Sequence, residues 1–330
     1  MEFSPYRFCV APMMDGTDRH CRYFHRILSK RARLYTEMIV ADAILRGGAE
    51  RHLAFDPAEH PVALQVGGSE PAKLAAAARL AEAFGYDEVN LNVGCPSDRV
   101  KSGTFGACLM KAPALVADGV AAMRAAVRIP VTVKCRIGVD DQDPEESLFA
   151  LVEAASAAGC AVFMVHARKA WLHGLSPKEN REIPPLDYGL VRRLKEARPD
   201  LTIVLNGGIA SLDQAAAHLR EFDGVMLGRA AYGEPYILAD VDRRIFGGDG
   251  EPLSREAAAR AMTAYVRSLV QRGRNPHCAA RHMLGLFHGT RGARAWRRAL
   301  SRLGTRAGAD VIECALEEAQ AAGAAAFVGA

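Results

Sequence analysis

The sequence lacks long hydrophobic runs, paired-cysteine motifs and a recognisable leader. No apolar segment reaches the ~18 residues that a membrane-spanning helix needs, and the N-terminal MEFSPYRFCV lacks the basic and then apolar layout of a signal peptide. Its eight cysteines include no Cys-x-x-Cys pair, and His and Cys are not spaced as in zinc sites. We therefore expect a cytoplasmic protein with no metal centre, membrane partner or disulfide framework.

Acidic residues are missing from one long stretch. Between Glu256 and Asp310 there is no carboxylate, whereas 11 arginines and three histidines fall there. A surface of one sign needs a counter-charge, and a polyphosphate backbone is a common one. This stretch is predicted to bind nucleic acid; the alternative is a solvated arginine-rich surface.

The remaining composition, 50% hydrophobic and 24% charged over 330 residues, is that of a globular protein. Short apolar runs alternate with helical patterns up to about residue 245. Eight runs are predicted strands: Phe8–Ala11, Leu34–Thr36, Val62–Val66, Glu88–Asn92, Val131–Lys134, Val162–His166, Thr202–Asn206 and Gly224–Leu227. Five intervening segments are predicted helices: Pro71–Phe84, Ala112–Val127, Glu145–Ala158, Asp187–Ala197 and Leu212–Arg220.

Regular alternation of strand and helix implies parallel strands joined by right-handed crossovers. Eight such units in ~240 residues fit an α/β fold of the (β/α)8 TIM-barrel type better than an open sheet. After the glycine-rich stretch Phe246–Pro252 the pattern becomes purely helical, with three or four helices broken near Pro276 and Gly304. We expect a barrel domain at 1–245 and an all-α domain at 253–330.

Polar residues end most of the predicted strands. They are Gln65, Asn92, Lys134, His166, Asn206 and the pair Gly228–Arg229. Because barrel strands are buried, polar side chains at their carboxyl ends face the mouth, where TIM barrels carry active sites. The pattern therefore predicts an active-site mouth.

Glycines follow the last two strands, at Gly207–Gly208 and at Gly228. The loops at these positions of TIM barrels commonly bind a phosphate through backbone N–H groups. Glycine permits close approach, and Arg229 can add a charge-assisted hydrogen bond. Either glycine site alone would indicate only a turn, but together they predict a phosphate site.

Lys134 needs an anionic partner if it is buried. Three readings are open: the N1–O2 edge of a reduced flavin, Schiff-base chemistry as in aldolases, or a salt bridge at the rim. For His166 we expect contact with a cofactor or substrate rather than proton transfer.

The segment Leu91–Ser97 places Cys95 between a glycine and a proline at the mouth. A thiol on such a loop can act as a nucleophile or as a general acid. Because a cysteine thiol is mostly protonated at neutral pH, it can deliver a proton to a developing carbanion.

Taken together, these features resemble the tRNA-dihydrouridine synthases, and in particular the bacterial synthase A group. The resemblance covers nearly the whole chain through VAPMMDGTDRHCRYF, LYTEM, HPVALQVGGS, NLNVGCPSDRV, FGACLM, VTVKCRIG, HARKAWLHGLSPKENREIPPLDY, NGGI, RHMLGLFHG and ARAWRR. Gly16 departs from the family pattern, in which we expect an aromatic residue at this position. We expect the glycine to make the loop beside the flavin looser.

The resemblance implies an FMN-binding barrel and a helical tRNA-binding domain. NADPH would reduce FMN, hydride from flavin N5 would reach C6 of a D-loop uridine at positions 20 and 20a, and Cys95 would protonate C5. The implied FMN ligands are Pro12, Met13, Met14, Gln65, Lys134, His166, Asn206, Gly207, Gly208, Gly228 and Arg229. Asn92 would contact the substrate base, and Arg168 would lie beside the same pocket.

The implied tRNA-orienting residues are Lys178, Asn180, Arg181, Arg294, Arg297 and Arg298. The expected partner is tRNA rather than DNA, and the expected state is a monomer.

Three other functions are consistent with parts of the pattern. A dihydroorotate-dehydrogenase-like barrel acting on a free pyrimidine is disfavoured because a small substrate needs no arginine-rich appendage. A lyase or aldolase using Lys134 predicts borohydride trapping and a colourless protein. An RNA-binding protein with a vestigial flavin is disfavoured by the presence of both Cys95 and Lys134.

Overall fold

Eight parallel strands close into a barrel in the order in which they occur along the chain. The computed structural model describes residues 3–97, 105–303 and 310–328. The strands are β1 (Phe8–Val10), β2 (Arg33–Val40), β3 (Val62–Gly67), β4 (Glu88–Val93), β5 (Val131–Arg136), β6 (Val162–His166), β7 (Thr202–Asn206) and β8 (Gly224–Leu227). Since β8 pairs with β1, the sheet has no free edge.

All eight predicted strands are present, and β6, β7 and β8 have the predicted bounds. The largest difference is β2, which continues to Val40, whereas the prediction stopped at Thr36. The charged Glu37 interrupts the apolar run, and the last four residues of β2 are only half-buried. The prediction therefore ended at Glu37 although three apolar residues, Met38, Ile39 and Val40, continue the strand beyond it.

Helices separate the strands and cover the barrel. They are α1 (Arg19–Leu28), α2 (Ala41–Arg46), α3 (Ala49–Leu53), α4 (Pro71–Ala83), α5 (Pro113–Ala126), α6 (Pro144–Ala157), α7 (Tyr188–Ala197), α8 (Leu212–His218), α9 (Arg229–Gly233) and α10 (Val241–Arg244). Proline opens α4, α5 and α6, where its missing N–H has no helical partner in any case. The five predicted helices are confirmed to within one or two residues at each end.

Helices also make up the chain after Ser254. They are α11 (Arg255–Ala261), α12 (Thr263–Gln271), α13 (His277–Ala280), α14 (Ala293–Leu303) and α15 (Val311–Val328). Pro276 precedes α13 as expected, whereas the predicted break at Gly304 lies outside the described residues. These helices share an apolar centre around the fully buried Trp296, whose Nε1 donates to the Met283 carbonyl at 2.8 Å.

Asp18 connects this helical region with the barrel. Its carboxylate caps α1 by accepting from the backbone N–H groups of His20 and Cys21, both at 2.9 Å. The same carboxylate forms an ion pair with Arg281 at 2.6 Å, and its other oxygen lies 2.9 Å from Nε2 of His282. Burial raises the pKa of Asp18, but the hydrogen bond and charge of His282, the Cys21 N–H and the hydrogen bond from Arg281 outweigh it and hold the pKa well below the ordinary range.

No helix within the described ranges is both long and apolar enough to cross a membrane. The same residues contain no group of three or more His, Cys, Asp or Glu side chains arranged to hold a metal ion.

Candidate active site

The predicted strand-end residues lie together at the carboxyl-terminal mouth of the barrel. Five of them lie at or near the carboxyl ends of β3 to β7: Gln65, Asn92, Lys134, His166 and Asn206. Gly228 follows β8 directly. Adjacent strands place Asn92 opposite Lys134 and His166 opposite Asn206. Barrel closure thus brings residues from six strands to one site.

Lys134 is held by an amide and not by a carboxylate. Its Nζ donates to Oδ1 of Asn206 at 3.0 Å, and Nδ2 of Asn206 donates to the carbonyl of Met226 at 2.8 Å. Burial, assisted by the positive charge of Arg136, lowers the pKa of Lys134 to about 8. None of the described carboxylates lies within ion-pair distance of Lys134, so this structure does not show the rim salt bridge.

His166 has an unused nitrogen inside the mouth. Its buried Nδ1 has no hydrogen-bond partner among the described residues. Burial has the largest effect on the pKa of His166, and the positive charges of Arg136 and Lys134 act in the same direction. Together they keep this pKa well below its ordinary value, so the imidazole is neutral at neutral pH. A neutral, unsatisfied ring nitrogen fits a site that a polar ligand completes.

The turn after β7 leaves no room for side chains at its two glycines. Gly207 and Gly208 have φ values of +112° and +73°, which favour glycine. A Cβ on Gly208 would lie 2.6 Å from Leu186 and 2.7 Å from the Tyr188 hydroxyl. That hydroxyl donates to the Gly207 carbonyl at 2.7 Å, which fixes the turn.

Arg229, which begins α9, is tied to the loop after β6. Its guanidinium forms an ion pair with Glu182 at 2.5 Å and donates to the Arg181 carbonyl at 3.2 Å. About half of the Arg229 side chain is exposed. The contact of Arg229 with a phosphate stays a prediction.

The loop after β1 is closed rather than loose at Gly16. The N–H groups of Gly16 and Thr17 both donate to the Met13 carbonyl, at 3.0 and 2.9 Å. A Cβ on Gly16 would lie 3.0 Å from the Met13 Cβ. The expected loosening relative to a loop with an aromatic residue stays a prediction. Pro12 and Met13 are half-buried in this loop, whereas Met14 is exposed.

Hydrogen bonds hold the backbone of the Cys95 loop from several sides. Oδ1 of Asn92 accepts from the N–H groups of Gly94 and Cys95 at 3.1 and 3.0 Å. Nε of Arg136 donates to the Gly94 carbonyl at 3.1 Å, and the Cys95 carbonyl accepts from Ala107 at 2.9 Å. The thiol is half-buried. Hydrogen bonds to the main chain of Gly94 and Cys95 therefore fix the position of Cys95.

Arg136 was missed by the sequence reasoning. Besides Gly94, its buried guanidinium donates to the carbonyls of Lys169 and Asn180 at 2.9 and 2.8 Å, so it joins the Cys95 loop to the loop after β6. Arg136 is two residues beyond Lys134 in VTVKCRIG, which places both on one face of β5. This spacing was the available signal.

The loop after β6 contains four predicted RNA or base contacts. Nε of Arg168 donates to the Pro184 carbonyl at 2.7 Å. Lys178 and Arg181 are exposed. Asn180, in contrast, is fully buried, and its amide bonds to the backbone of Trp171 in both directions, at 2.7 and 2.9 Å. Because Asn180 is fully buried in this structure, it is not accessible to RNA, and its amide instead stabilises the loop.

Arg294, Arg297 and Arg298 belong to α14 and not to the mouth. All three are exposed, and together with His288 and Thr290 they line an open cavity of about 600 Å³. None of them pairs with a carboxylate of the described residues. They therefore form a cationic surface available to an external anion.

Comparison with known proteins identifies the family. Residues 9–324 match the family model described as Dihydrouridine synthase (Dus). The chain belongs to the dihydrouridine synthase family. The resemblance inferred from the motifs is confirmed.

Relatives of this family member are similar over nearly their full lengths. The tRNA-dihydrouridine(20/20a) synthase of Salmonella typhimurium is 59% identical over 307 residues, which cover 93% of this chain and 92% of that protein. The protein of the same name from Xanthomonas axonopodis is 56% identical over 314 residues, 94% of this chain and 93% of that one. Among solved structures, morphinone reductase superimposes with a TM-score of 0.50 at 14% identity, covering 75% of this chain and 87% of its own, and this shows a shared fold only.

Proposed function

We propose that this protein reduces uridine to 5,6-dihydrouridine in tRNA, with FMN as cofactor and NADPH as reductant. Support comes from the family and from relatives whose names specify tRNA positions 20 and 20a. The observation that carries the proposal is that the Cys95 loop and Lys134 lie at the same barrel mouth. The Cys95 loop is fixed by Asn92 on β4, and Asn92 stands opposite Lys134 on β5.

The residues present fit a flavin mononucleotide. Nδ1 of His166 has no partner and Lys134, with a pKa of about 8, has no carboxylate partner among the described residues. The Gly207–Gly208 turn carries no side chains. We assign FMN to these residues together with Pro12–Met14, Gln65, Asn206, Gly228 and Arg229. Once bound, the flavin would supply a hydride to C6 of the uracil ring, using electrons from NADPH.

Lys134 and the glycine turn would act on different parts of the cofactor. An anionic edge near Nζ favours the charged form of Lys134, so lysine and anion stabilise each other. Backbone N–H groups at Gly207 and Gly208 can approach phosphate oxygens closely, because no Cβ intervenes. Neutral His166 can donate or accept one hydrogen bond at Nδ1, depending on its tautomer.

Cys95 would complete the reduction of the C5=C6 bond. Its thiol transfers a proton from Sγ to C5 and is later reprotonated from solvent. Asn92 contributes by fixing the N–H groups of Gly94 and Cys95, which sets the position of Sγ. We place Arg168 beside the same base.

The tRNA would lie across the mouth and the helical region. Lys178 and Arg181 are exposed on the loop after β6, and Arg294, Arg297 and Arg298 are exposed on α14. Such exposed cations would neutralise phosphates, while the D-loop uridine leaves its stack to enter the barrel. We accordingly propose an FMN-binding catalytic unit at 1–245, a tRNA-binding unit at 253–330 and a monomeric protein that does not bind DNA.

The direct test incubates the FMN-loaded protein with NADPH and an unmodified tRNA transcript and maps dihydrouridine by mass spectrometry. We expect the modification at positions 20 and 20a and very little conversion of free uridine, because remote phosphate contacts help to position the base. A flavin-loaded protein that leaves the tRNA unmodified would contradict the proposal.

A further inference from the structure

The barrel interior contains a carboxylate that lies below the active-site mouth. Glu88 begins β4 and is fully buried. It accepts hydrogen bonds from the hydroxyl of Thr132 at 2.5 Å and of Tyr35 at 3.0 Å, and it pairs with Arg33 at 3.1 Å. With three donors directed at it, this group serves purely as an acceptor.

From Thr132 a row of side-chain amides leads upward to the mouth. Nδ2 of Asn90 donates to Oγ1 of Thr132 at 2.7 Å. Nε2 of Gln65 donates to Oδ1 of Asn90 at 2.7 Å, and Nδ2 of Asn92 donates to Oε1 of Gln65 at 2.8 Å. Finally, Oδ1 of Asn92 accepts the N–H of Cys95 at 3.0 Å.

Every hydrogen bond in this row has the same direction. We call the row Glu88–Thr132–Asn90–Gln65–Asn92 the interior chain; all five residues are buried. One end is a carboxylate, which can only accept, and the other is a backbone N–H, which can only donate. Each amide between them therefore has a single orientation that satisfies both neighbours, because turning one would oppose two donors or two acceptors.

We propose that the interior chain positions Cys95, with Glu88 fixing the orientation of Asn92 from the bottom of the barrel. Loss of the Thr132 hydroxyl removes the oxygen acceptor of Nδ2 of Asn90 and leaves it only the Met164 sulfur at 3.5 Å. The row then loses its acceptor end, so the amides of Asn90, Gln65 and Asn92 turn more readily and Asn92 holds the Gly94 and Cys95 N–H groups less firmly. Glu88 and Thr132 are thus positioning residues that act through others, and their effect on catalysis rests on the function proposed above.

The test replaces Thr132 with Val, which is nearly isosteric and breaks the chain, and with Ser, which keeps the hydroxyl. Tyr35→Phe is the matched control, since it removes a hydrogen bond to the same carboxylate without breaking the chain. Iodoacetamide labelling of Cys95 is followed by peptide mass spectrometry, with the exposed Cys314 as internal reference. This readout does not depend on the enzyme being active.

For Thr132→Val we expect Cys95 to be labelled about threefold faster or more, as its loop opens more often, while Cys314 is unchanged. In tRNA reduction we expect kcat to fall about tenfold with KM for tRNA nearly unchanged, the pattern for a misplaced reacting group. Thr132→Ser should restore both values, and Tyr35→Phe should match the wild type.

Equal Cys95 labelling in the Val variant, the Ser variant and the wild type would overturn the proposal. The proposal would also be overturned if Cys95 were labelled as fast in Tyr35→Phe as in Thr132→Val, because this would indicate a general loosening of the barrel. If Thr132→Val does not fold, Thr132→Ala removes the same hydroxyl and is judged by the same criteria. A wild type without reductase activity would contradict the proposed function, while the labelling result would still decide the role of the chain.

Discussion

Nζ of Lys134 lies 3.0 Å from Oδ1 of Asn206, although their strands β5 and β7 are separated by β6. The two side chains therefore meet inside the mouth, where the lysine is buried beside a neutral amide. This arrangement explains why the pKa of Lys134 falls to about 8, and it makes cofactor binding sensitive to pH.

The first prediction concerns FMN affinity and pH. Without ligand, Lys134 is charged below about pH 8 and loses its charge above it. An anionic ligand raises this pKa, so affinity should be highest below pH 8 and should fall as pH rises above that value. Fluorescence titrations of FMN between pH 7 and 9.5 measure the slope. Lys134→Gln should flatten it, whereas Lys73→Gln on α4 should not; equal slopes in all three proteins would contradict the assignment.

The second prediction concerns the glycine turn. Gly208→Ala should weaken FMN binding, because its Cβ would lie 2.6 Å from Leu186 and would displace the turn. Gly48→Ala is the control, since its φ of +83° imposes a similar backbone cost but nothing lies within 4 Å of the added Cβ. Both variants should lose about 1–2 kcal/mol of stability from the left-handed conformation, as measured by thermal unfolding. Unchanged FMN affinity in Gly208→Ala would argue against a phosphate at this turn.

The third prediction concerns the cationic surface of α14. Reversing Arg297 and Arg298 to Glu should raise the Kd for tRNA and lower the slope of log Kd against log salt by about 1.4 to 1.8, since each of the two lost phosphate contacts contributes about 0.7 to 0.9. FMN affinity should not change. As a control of equal charge change, Arg79→Glu with Arg128→Glu alters arginines outside α14. The same loss of tRNA affinity in both double variants would show a general charge effect.

The fourth prediction concerns stability at low pH. The pKa of Asp18 is lowered in the folded protein, so the carboxylate stabilises the fold above its ordinary pKa near 3.8, and this contribution is lost as pH falls below that value. Asp18→Asn should therefore lower Tm at pH 7, and the difference from wild type should shrink towards pH 3. A constant difference in Tm across this range would mean that the charge of Asp18 contributes nothing.

The sequence predicted the barrel because each strand is a short apolar run and because polar residues or glycines mark where most runs end. It predicted the mouth for the same reason, since strand ends in a parallel barrel meet at one edge. Arg136 and the interior chain were not predicted, because they depend on which residues face each other across β3, β4 and β5. Local composition does not specify that register.

Burial in loops was equally hard to predict. Asn180 lies in a polar segment next to two basic residues, which suggests exposure, yet its amide satisfies the backbone of its own loop. Likewise, Gly16 indicates freedom when considered alone, whereas the turn around it is closed by hydrogen bonds to Met13. Both outcomes depend on contacts between neighbouring backbone segments rather than on residue type.

The most direct test of the account compares Cys95→Ala with the wild type and with Cys314→Ala in FMN-loaded form. Dihydrouridine formed in tRNA is measured by mass spectrometry, and FMN and tRNA affinities are measured on the same preparations. We expect Cys95→Ala to bind both ligands normally and to reduce tRNA about a hundredfold more slowly or worse, the loss expected for a missing general acid, while Cys314→Ala remains active. Undiminished turnover in Cys95→Ala would contradict the role of this thiol as the proton donor.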